Sequence, residues 1–304
     1  MKKRNLLLII GLAVSLSACG GSPENSETEE TAVSASAESE TTVEETSSEA
    51  PTTSSFEEIT VVDNEYCTIK LTGLDPDNMW GYTVNAYMEN KSPETTYMFS
   101  VTNASINGVQ CDPFFSTEVA AGKKVNSEIN FSDEALEDEG ITDFTDIEIS
   151  FRVYDSNDWS AEDVANATTH VYPYGEENAT VYVRQPQDTD IVIADNEYIS
   201  AVITGFEEDD IWGYTANLYL TNKTDSEVMF SVDNCSINGY MIDPFYASSV
   251  AAGKSAFSSM SWSDDELTKN GITDVTDIEF SFRAYNSEDY SADDYFNEII
   301  TVNP

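Results

Sequence analysis

Two matching loops hold the side chains with the clearest capacity to bind a ligand. The first reads DPDNMWGY from Asp75, and the second reads EEDDIWGY from Glu207. Carboxylates precede a tryptophan in each loop, which offers oxygen ligands for calcium and a flat ring for a sugar or a protein surface. A plainer interpretation has each tryptophan packing at the end of a fold, since Trp-Gly-Tyr runs directly into an apolar strand. The candidate binding residues are Trp80, Tyr82, Trp212 and Tyr214, and the candidate metal ligands are Asp75, Asp77, Asp209 and Asp210.

Two arginines form a second pair of candidates, because basic residues are scarce. The chain has 13 Lys and Arg residues against 57 Asp and Glu residues, and Arg152 and Arg283 each close the tripeptide SFR. Each arginine is predicted to pair with a carboxylate across its strand, and anion binding is the alternative role. The nearby segments starting at Asp155 and Asn286 resemble calcium loops, although they lack the glycine and the distal glutamate of the EF-hand pattern.

The sequence has few of the residues that histidine-dependent catalysis or a zinc site requires. His170 is the single histidine, and no CxxC motif is present. Cys67, Cys111 and Cys235 align with apolar residues in a second copy of the same sequence, which predicts buried thiols. A Cys67–Cys111 disulfide is the alternative, and it would leave Cys235 unpaired. No copy carries a distinctive catalytic set, so a non-enzymatic protein without a cofactor is expected, with calcium or carbohydrate-active chemistry as the alternatives.

The second copy comes from an internal duplication. The phrase DNEY at Asp63 returns at Asp195, and about half of the aligned positions are then identical. A repeat of this length is a whole domain and not one unit of a solenoid. The predicted organisation is a signal peptide over 1–18, a linker over 19–55, a first domain over 56–173, a connector over 174–189 and a second domain over 190–304.

Side-chain alternation within each copy predicts β-strands. In YCTIKLTG, the residues Cys67, Ile69 and Leu71 fall on one face and polar residues fall on the other. Alternating strands of about five to nine residues, separated by Gly, Asn, Asp and Pro, predict an all-β fold of two tandem antiparallel β-sandwiches. Each sandwich is expected to have about six or seven strands and one short helical turn.

The turns of the predicted sandwiches have specific signatures. Asn107 and Asn238 each precede a glycine inside SING, which is the strongest short-range hairpin signal. The phrase DPF follows in both copies, and Phe114 and Phe245 are expected to plug the edge of a sandwich. For the helical turns, Ser132 and Ser263 are the predicted N-caps, Glu266 would complete a capping box with Ser263, and Gly140 and Gly271 are the predicted C-terminal caps.

The N-terminal segment has the layout of an export signal. Three basic residues precede an apolar run that is too short to span a bilayer. The sequence LSAC, ending at Cys19, resembles the lipobox of bacterial lipoproteins. This resemblance implies cleavage before Cys19 and acyl chains attached to its sulfur, so the membrane would be a partner through a lipid anchor.

The predicted linker is rich in Ser, Thr, Glu and Ala and has no aromatic residue. It lacks the apolar surface needed to fold, and it would reach on the order of 120 Å when fully extended. Loss of the signal peptide leaves 10 basic residues against 57 acidic ones, a net charge of −47. A charge of this sign repels phosphate backbones and excludes nucleic acid as a partner.

Lipobox, acidic linker and the phrases MFSV, SING, DPF, AAGK and SFR together resemble poorly characterised lipoproteins of Gram-positive bacteria. The resemblance implies two tandem immunoglobulin-like domains of unknown function in an extracytoplasmic protein anchored to the cell membrane. The expected function is therefore non-catalytic: the repeated modules would bind an unidentified surface protein, glycan or cell-wall component.

Overall fold

Residues 56–158, 160–209 and 211–304 are described by the computed structural model. The predicted signal peptide over 1–18, Cys19 and the linker over 19–55 lie outside the described residues, as does Asp210. The all-β prediction is confirmed, because strands dominate both copies of the repeat and pack as sandwiches. No helix in the described residues is long and apolar enough to cross a membrane.

The first repeat forms two sheets with a shared core. One sheet has the strand order β1-β2-β3-β7. The other has the order β5-β4-β8-β9, and β6 also pairs with β4. The strand bounds are β1 Ile59–Asp63, β2 Cys67–Asp75, β3 Tyr82–Asn90, β4 Tyr97–Ile106, β5 Val109–Gln110, β6 Ser116–Val119, β7 Lys124–Phe131, β8 Ile147–Asp155 and β9 Ala165–Val171.

The second repeat reproduces this arrangement strand by strand. Its sheets have the orders β10-β11-β12-β16 and β14-β13-β17-β18, and β15 also pairs with β13. The strand bounds are β10 Ile191–Asp195, β11 Ile199–Asp209, β12 Gly213–Asn222, β13 Val228–Ile237, β14 Tyr240–Met241, β15 Ala247–Val250, β16 Ser255–Trp262, β17 Ile278–Asn286 and β18 Phe296–Val302. The short β5, β6, β14 and β15 raise each repeat above the predicted strand number.

Two hydrophobic cores explain why the alternation predicted these strands. In β8, every second residue from Ile147 to Val153 is buried, and the residues between them face outward. Cys67 and Cys235 are fully buried, as predicted, and Cys111 is half-buried; all three thiols are free, so the alternative disulfide is not formed. Burial raises the pKa of the Cys67 thiol to about 11, which keeps it protonated and unreactive.

The two sheets that meet between the repeats are joined. Strand β5 of the first repeat pairs in parallel with β16 of the second through Val109 and Ser255. Residues between β9 and β10 contain one 3-10 turn, Glu176–Asn178, and no strand. Because the repeats share a sheet, the division of the chain into two domains stays a prediction.

The predicted turns are confirmed, and one predicted cap is wrong. Asn107 and Asn238 have φ angles of 51° and 49°, and a glycine with positive φ follows each of them. The helices are α1 Asp133–Asp138 and α2 Asp264–Lys269, with Ser132 and Ser263 at the N-cap positions. Neither serine side chain makes a capping hydrogen bond. The predicted capping box is absent, and the Glu266 carboxylate pairs with Lys269, 3.2 Å away.

Candidate functional site

The two acidic-aromatic loops project apolar side chains into solvent. Trp80 is 68% exposed and Trp212 is 58% exposed, so the interpretation that each tryptophan packs at the end of its fold is wrong. The phenylalanine of each DPF phrase is also exposed, at 107% for Phe114 and 81% for Phe245. The predicted plug at the sandwich edge is therefore wrong as well.

Each repeat thus carries a set of exposed apolar residues, which we call its tip. The first tip comprises Met79, Trp80 and Phe114, and the second comprises Ile211, Trp212 and Phe245. In the second tip, the rings of Trp212 and Phe245 stack with centroids 6.2 Å apart and planes 12° apart. The backbone N–H of Phe245 donates to the carbonyl of Ser261, 2.8 Å away, which fixes the DPF loop against the end of β16.

Backbone turns explain why the tryptophans point outward. Gly81 and Gly213 follow the tryptophans with φ angles of 100° and 83°, a region that favours glycine. At Gly213 the backbone also approaches the carbonyl oxygen of Trp262 so closely that an added Cβ would lie 2.3 Å from it. The chain reverses there, so the next residue enters the strand and the tryptophan stays outside.

The tyrosines that follow these glycines belong to the cores, contrary to the prediction that they bind ligand. Tyr214 is buried, with its ring 5.8 Å from that of Phe206. Tyr82 is half-buried and its ring lies 4.8 Å from that of Phe144. Burial raises the pKa of Tyr82 to about 12, so its hydroxyl stays neutral. The accessible aromatic surface therefore consists of tryptophan and phenylalanine alone at each tip.

The predicted metal ligands serve the turn in the first loop. The Asp75 carboxylate accepts a hydrogen bond from the backbone N–H of Asp77 at 3.3 Å, and the Asn78 side chain accepts one from Trp80 at 3.0 Å. Such side-chain bonds to following amides form an Asx turn. The side chain of Asp209 and the whole of Asp210 lie outside the described part. In the described ranges, no three His, Cys, Asp or Glu residues group closely enough to hold a metal ion.

The second pair of acidic loops also folds by internal hydrogen bonds. The carboxylate of Asp158 accepts from the backbone N–H and the hydroxyl of Ser160, at 3.1 and 2.6 Å. Asp289 holds Ser291 in the same way, at 3.0 and 2.6 Å. These bonds lower the pKa of both carboxyl groups. The described residues of these loops therefore form turns and do not converge on a common centre.

The arginines pair with carboxylates, as predicted. Arg152 donates through Nε to Asp163 at 2.8 Å, and Arg283 donates through Nε and a terminal nitrogen to Asp294 at 2.8 and 2.7 Å. The guanidinium of Arg283 also lies 4.1 Å from the ring centroid of Tyr285, and Arg152 has the same contact with Tyr154. With donors and one face engaged, these arginines fasten the segment before the last strand of each repeat and have little capacity left for an external anion.

Sequence reasoning missed the phenylalanines of the DPF phrases as binding candidates. The DPF phrase predicts packing for Phe114 and Phe245, because a bulky apolar residue is more often buried than exposed. The available signal was positional: each follows a proline outside the alternating strands. In the second repeat the DPF loop lies beside the Trp-Gly-Tyr loop through the contact of Phe245 with Trp212, which the distance between the two loops in sequence does not reveal.

Comparisons with known proteins add little to this site. No protein-family model and no curated protein matches the sequence. Among solved structures, the YadV chaperone is 12% identical, and the match covers 73% of this chain and 92% of that one with a TM-score of 0.21. The exo-chitosanase CsxA of Amycolatopsis orientalis is 13% identical, with 79% and 27% covered and a TM-score of 0.24. A red sea bream transglutaminase is 10% identical, with 73% and 28% covered and a TM-score of 0.20.

This chain therefore spans about a quarter of the length of the two enzymes and nearly all of the chaperone. Likeness at these scores carries no conclusion about activity, since a fold shared by unrelated proteins hosts many functions.

Proposed function

We propose that this protein is a non-catalytic surface lipoprotein whose two tips bind a protein, a glycan or a cell-wall component. The observation that carries the proposal is the exposure of Trp80 with Phe114 and of Trp212 with Phe245 at matching positions of the two repeats. Apolar surface costs roughly 25 cal/mol for each Å² left in water. An exposed patch of large apolar side chains is typical of a binding surface, and tryptophan is enriched among the residues that dominate binding energy.

The chemistry of each tip suits a ligand with a flat apolar face and polar groups at its edge. Stacked rings offer such a face at the second tip, and the loop of the first tip carries the carboxylate of Asp75 and the amide of Asn78, which offer hydrogen-bond partners. A pyranose ring has this character, and so does a peptide segment with an aromatic side chain. The acidic composition disfavours anionic ligands.

Two tips at matching positions of one chain would act together on a repetitive partner. Once one tip is bound, the second meets the ligand at a high effective concentration, which raises the overall affinity without any new contact. A glycan polymer or a surface array supplies such repeated sites. The proposed lipid anchor at Cys19 and the acidic linker would present both tips outside the cell membrane of a Gram-positive bacterium.

A glycan array and a cell-wall pull-down, each with the chain from residue 19 and Cys19→Ser, test the binding role. Trp80→Ala and Trp212→Ala should each weaken capture, and the double variant should lower the affinity by about 30-fold or more if both are dominant contacts. Tyr290→Ala is the matched control, because Tyr290 is 73% exposed and lies outside both tips. Unchanged capture by the double variant, or hydrolysis of any captured glycan, would count against the proposal.

The anchoring part has its own test in the producing cells. Metabolic labelling with a palmitate analogue should mark the full chain, and Cys19→Ser should abolish the label and release the protein into the medium. A labelled Cys19→Ser chain would contradict the anchor without affecting the tip proposal.

A further inference from the structure

The contact between the repeats is a defined interface made of two different surfaces. The hairpin after β4 in the first repeat meets the turn before β16 in the second. The backbone N–H of Ser255 donates to the carbonyl of Gly108 at 3.0 Å. The Gln110 side chain donates to the carbonyl of Ser249 at 3.3 Å and accepts from the backbone N–H of Ala251 at 2.9 Å.

An ion pair reinforces this contact. Lys254 of the second repeat bonds to the carboxylate of Glu148 in the first, and their side chains are only 16% and 19% exposed. Val109, in the same hairpin, is 1% exposed. We call the hairpin at Gly108, Val109 and Gln110, together with Glu148, the tail surface. We call the turn at Ala251, Ala252, Lys254 and Ser255 the head surface. The tail surface of the first repeat therefore packs against the head surface of the second.

Each surface recurs in the other repeat, because the repeats share one sequence pattern. The tail surface of the second repeat consists of Gly239, Tyr240, Met241 and Glu279. The head surface of the first repeat consists of Ala120, Ala121, Lys123 and Lys124. Neither recurring surface is part of the contact between the repeats, so both remain on the outside of the chain.

The recurring tail surface is exposed and apolar. Tyr240 is 50% exposed and Met241 is 67% exposed, in the places that Val109 and Gln110 hold in the first repeat. Solvation alone would favour polar residues at an exposed hairpin. The substitution of Gln110 by methionine at its counterpart runs in the opposite direction, which is typical of a surface that is covered by a partner.

The recurring head surface complements this tail in charge and in hydrogen-bonding groups. Lys123 and Glu279 are both exposed, and they are the counterparts of the ion-paired Lys254 and Glu148. Among the described residues, no salt bridge joins Lys123 or Glu279 to another side chain. Strand β7, which starts at Lys124, is the last strand of its sheet, so its outer edge can accept a hairpin as the edge of β16 does.

We propose that the chain associates head-to-tail with a second copy of itself, the tail surface of one copy covering the head surface of the next. The contact repeats the geometry already present between the repeats. Because its two sides differ, each added copy leaves a free tail and a free head, so the product is an open chain, or a ring if the rotation between copies closes, and not a two-fold symmetric dimer.

The contact between copies should be weaker than the one within the chain. The hydrogen bonds of Gln110 have no counterpart at Met241, and the covalent connection that raises the effective concentration is missing. The acidic charge of each copy also opposes approach, although salt at 0.15 M limits this repulsion to roughly 8 Å. Anchoring many copies on one membrane would compensate for a weak contact.

Cysteine cross-linking of the full chain in its producing cells tests the proposal. Met241→Cys and Ala120→Cys place thiols at the counterparts of two residues that are hydrogen-bonded inside the chain. A chain carrying both thiols should give a ladder of multiples of the monomer with a short bismaleimide. Cells expressing a chain with only one of the two added thiols should give none above background, which also controls for the native cysteines. Cells expressing the two chains with one added thiol each should give a dimer only.

Charge variants in the double-cysteine chain test the specific contact. Lys123→Glu and Glu279→Lys should each reduce the ladder at least fivefold, and the two together should restore it. Lys269→Glu is the control, because Lys269 is exposed and its ion pair is with Glu266, which belongs to neither surface. Four results would each overturn the proposal. The first two are a ladder from the Met241→Cys chain alone and no ladder from a folded chain with both added thiols. The other two are cross-links to a different protein only and a ladder that Lys123→Glu leaves unchanged.

Discussion

Replacing Asn107 by glycine should weaken the first repeat far more than replacing Asn238 weakens the second, although the two asparagines make the same bonds. The Asn107 side chain accepts from the backbone N–H and hydroxyl of Thr145 at 2.9 and 2.8 Å, and from the N–H of Asp146 at 3.0 Å. Asn238 accepts from Thr276 at 3.0 Å through both groups and from Asp277 at 3.1 Å.

The difference between the two positions is burial. Asn107 is 6% exposed and Thr145 is 9% exposed, because the connector packs over them: the N–H of Tyr182 donates to the carbonyl of Asn107 at 2.8 Å. Thr276 is exposed, so water replaces the lost acceptor there. A buried group left without its partner costs about 1–3 kcal/mol, and a lost exposed bond costs about 1 kcal/mol. Asn107→Gly should therefore cost about 2–4 kcal/mol and Asn238→Gly about 1 kcal/mol.

Glycine is the right substitution because both asparagines have positive φ, at 51° and 49°. Glycine accepts this conformation, so strain does not enter, and its larger entropy in the unfolded chain affects both variants equally. The comparison of the two variants then isolates burial.

Hydrogen exchange followed by mass spectrometry measures the protection of the amides at 145–146 in the first repeat and at 276–277 in the second. Asn107→Gly should lower protection by at least 30-fold, which corresponds to about 2 kcal/mol, and Asn238→Gly by less than tenfold. Equal losses at the two sites, or a loss of only a few-fold at the first, would refute the argument that the connector excludes water from Asn107.

Three further predictions concern the glycine turns, the arginine pairs and the connector. A Cβ at Gly213 would lie 2.3 Å from a backbone oxygen, whereas Gly253, at φ 67°, has open space around it. Gly213→Ala should therefore lower the free energy of unfolding by about 3 kcal/mol or more, and Gly253→Ala by about 1–2 kcal/mol, as measured by thermal unfolding. Equal losses would contradict this. The hydrogen bond from Arg283 lowers the pKa of Asp294, so its stabilisation is present above the unfolded pKa of about 3.9 and is lost as pH falls through the folded value. Asp294→Asn should therefore lower stability slightly at pH 7 and flatten the loss of stability below about pH 4 in thermal melts; an unchanged profile would contradict this. Tyr182→Ala should remove ring contacts with the second repeat and increase the radius of gyration in X-ray scattering while both cores stay folded; unchanged scattering would argue that β5 alone fixes the repeats.

Most strands were predictable because burial acts on them with a period of two. From Ile147 to Val153 only one face of the strand meets the core, so the sequence alternates visibly. The hairpins were predictable for a separate reason: Asn107 and Asn238 occupy a backbone conformation that few residue types accept. Both signals are local, and both were read correctly in each repeat.

The tips and the junction were not predictable, because neither depends on a local pattern. Periodicity gives no information on a loop residue such as Phe114, whose exposure depends on whether another loop covers it. The pairing of Val109 with Ser255 involves a single bridge, which no alternation would reveal. The sequence comparison of the repeats held only an indirect signal: Gln110 and its counterpart Met241 differ in polarity although they end equivalent hairpins.

The two proposals concern separate surfaces, and their tests separate them. If the tips bind a partner, Trp80→Ala with Trp212→Ala should reduce capture and leave the cross-linked ladder intact. If the tail surface binds a second copy, Glu279→Lys should reduce the ladder while each isolated chain still recognises its ligand. A polymeric ligand would then be held more tightly by linked chains than by single ones, because linkage multiplies the number of tips that engage it at once. Loss of avidity without loss of single-site affinity in Glu279→Lys is the result that would connect the two surfaces in one function.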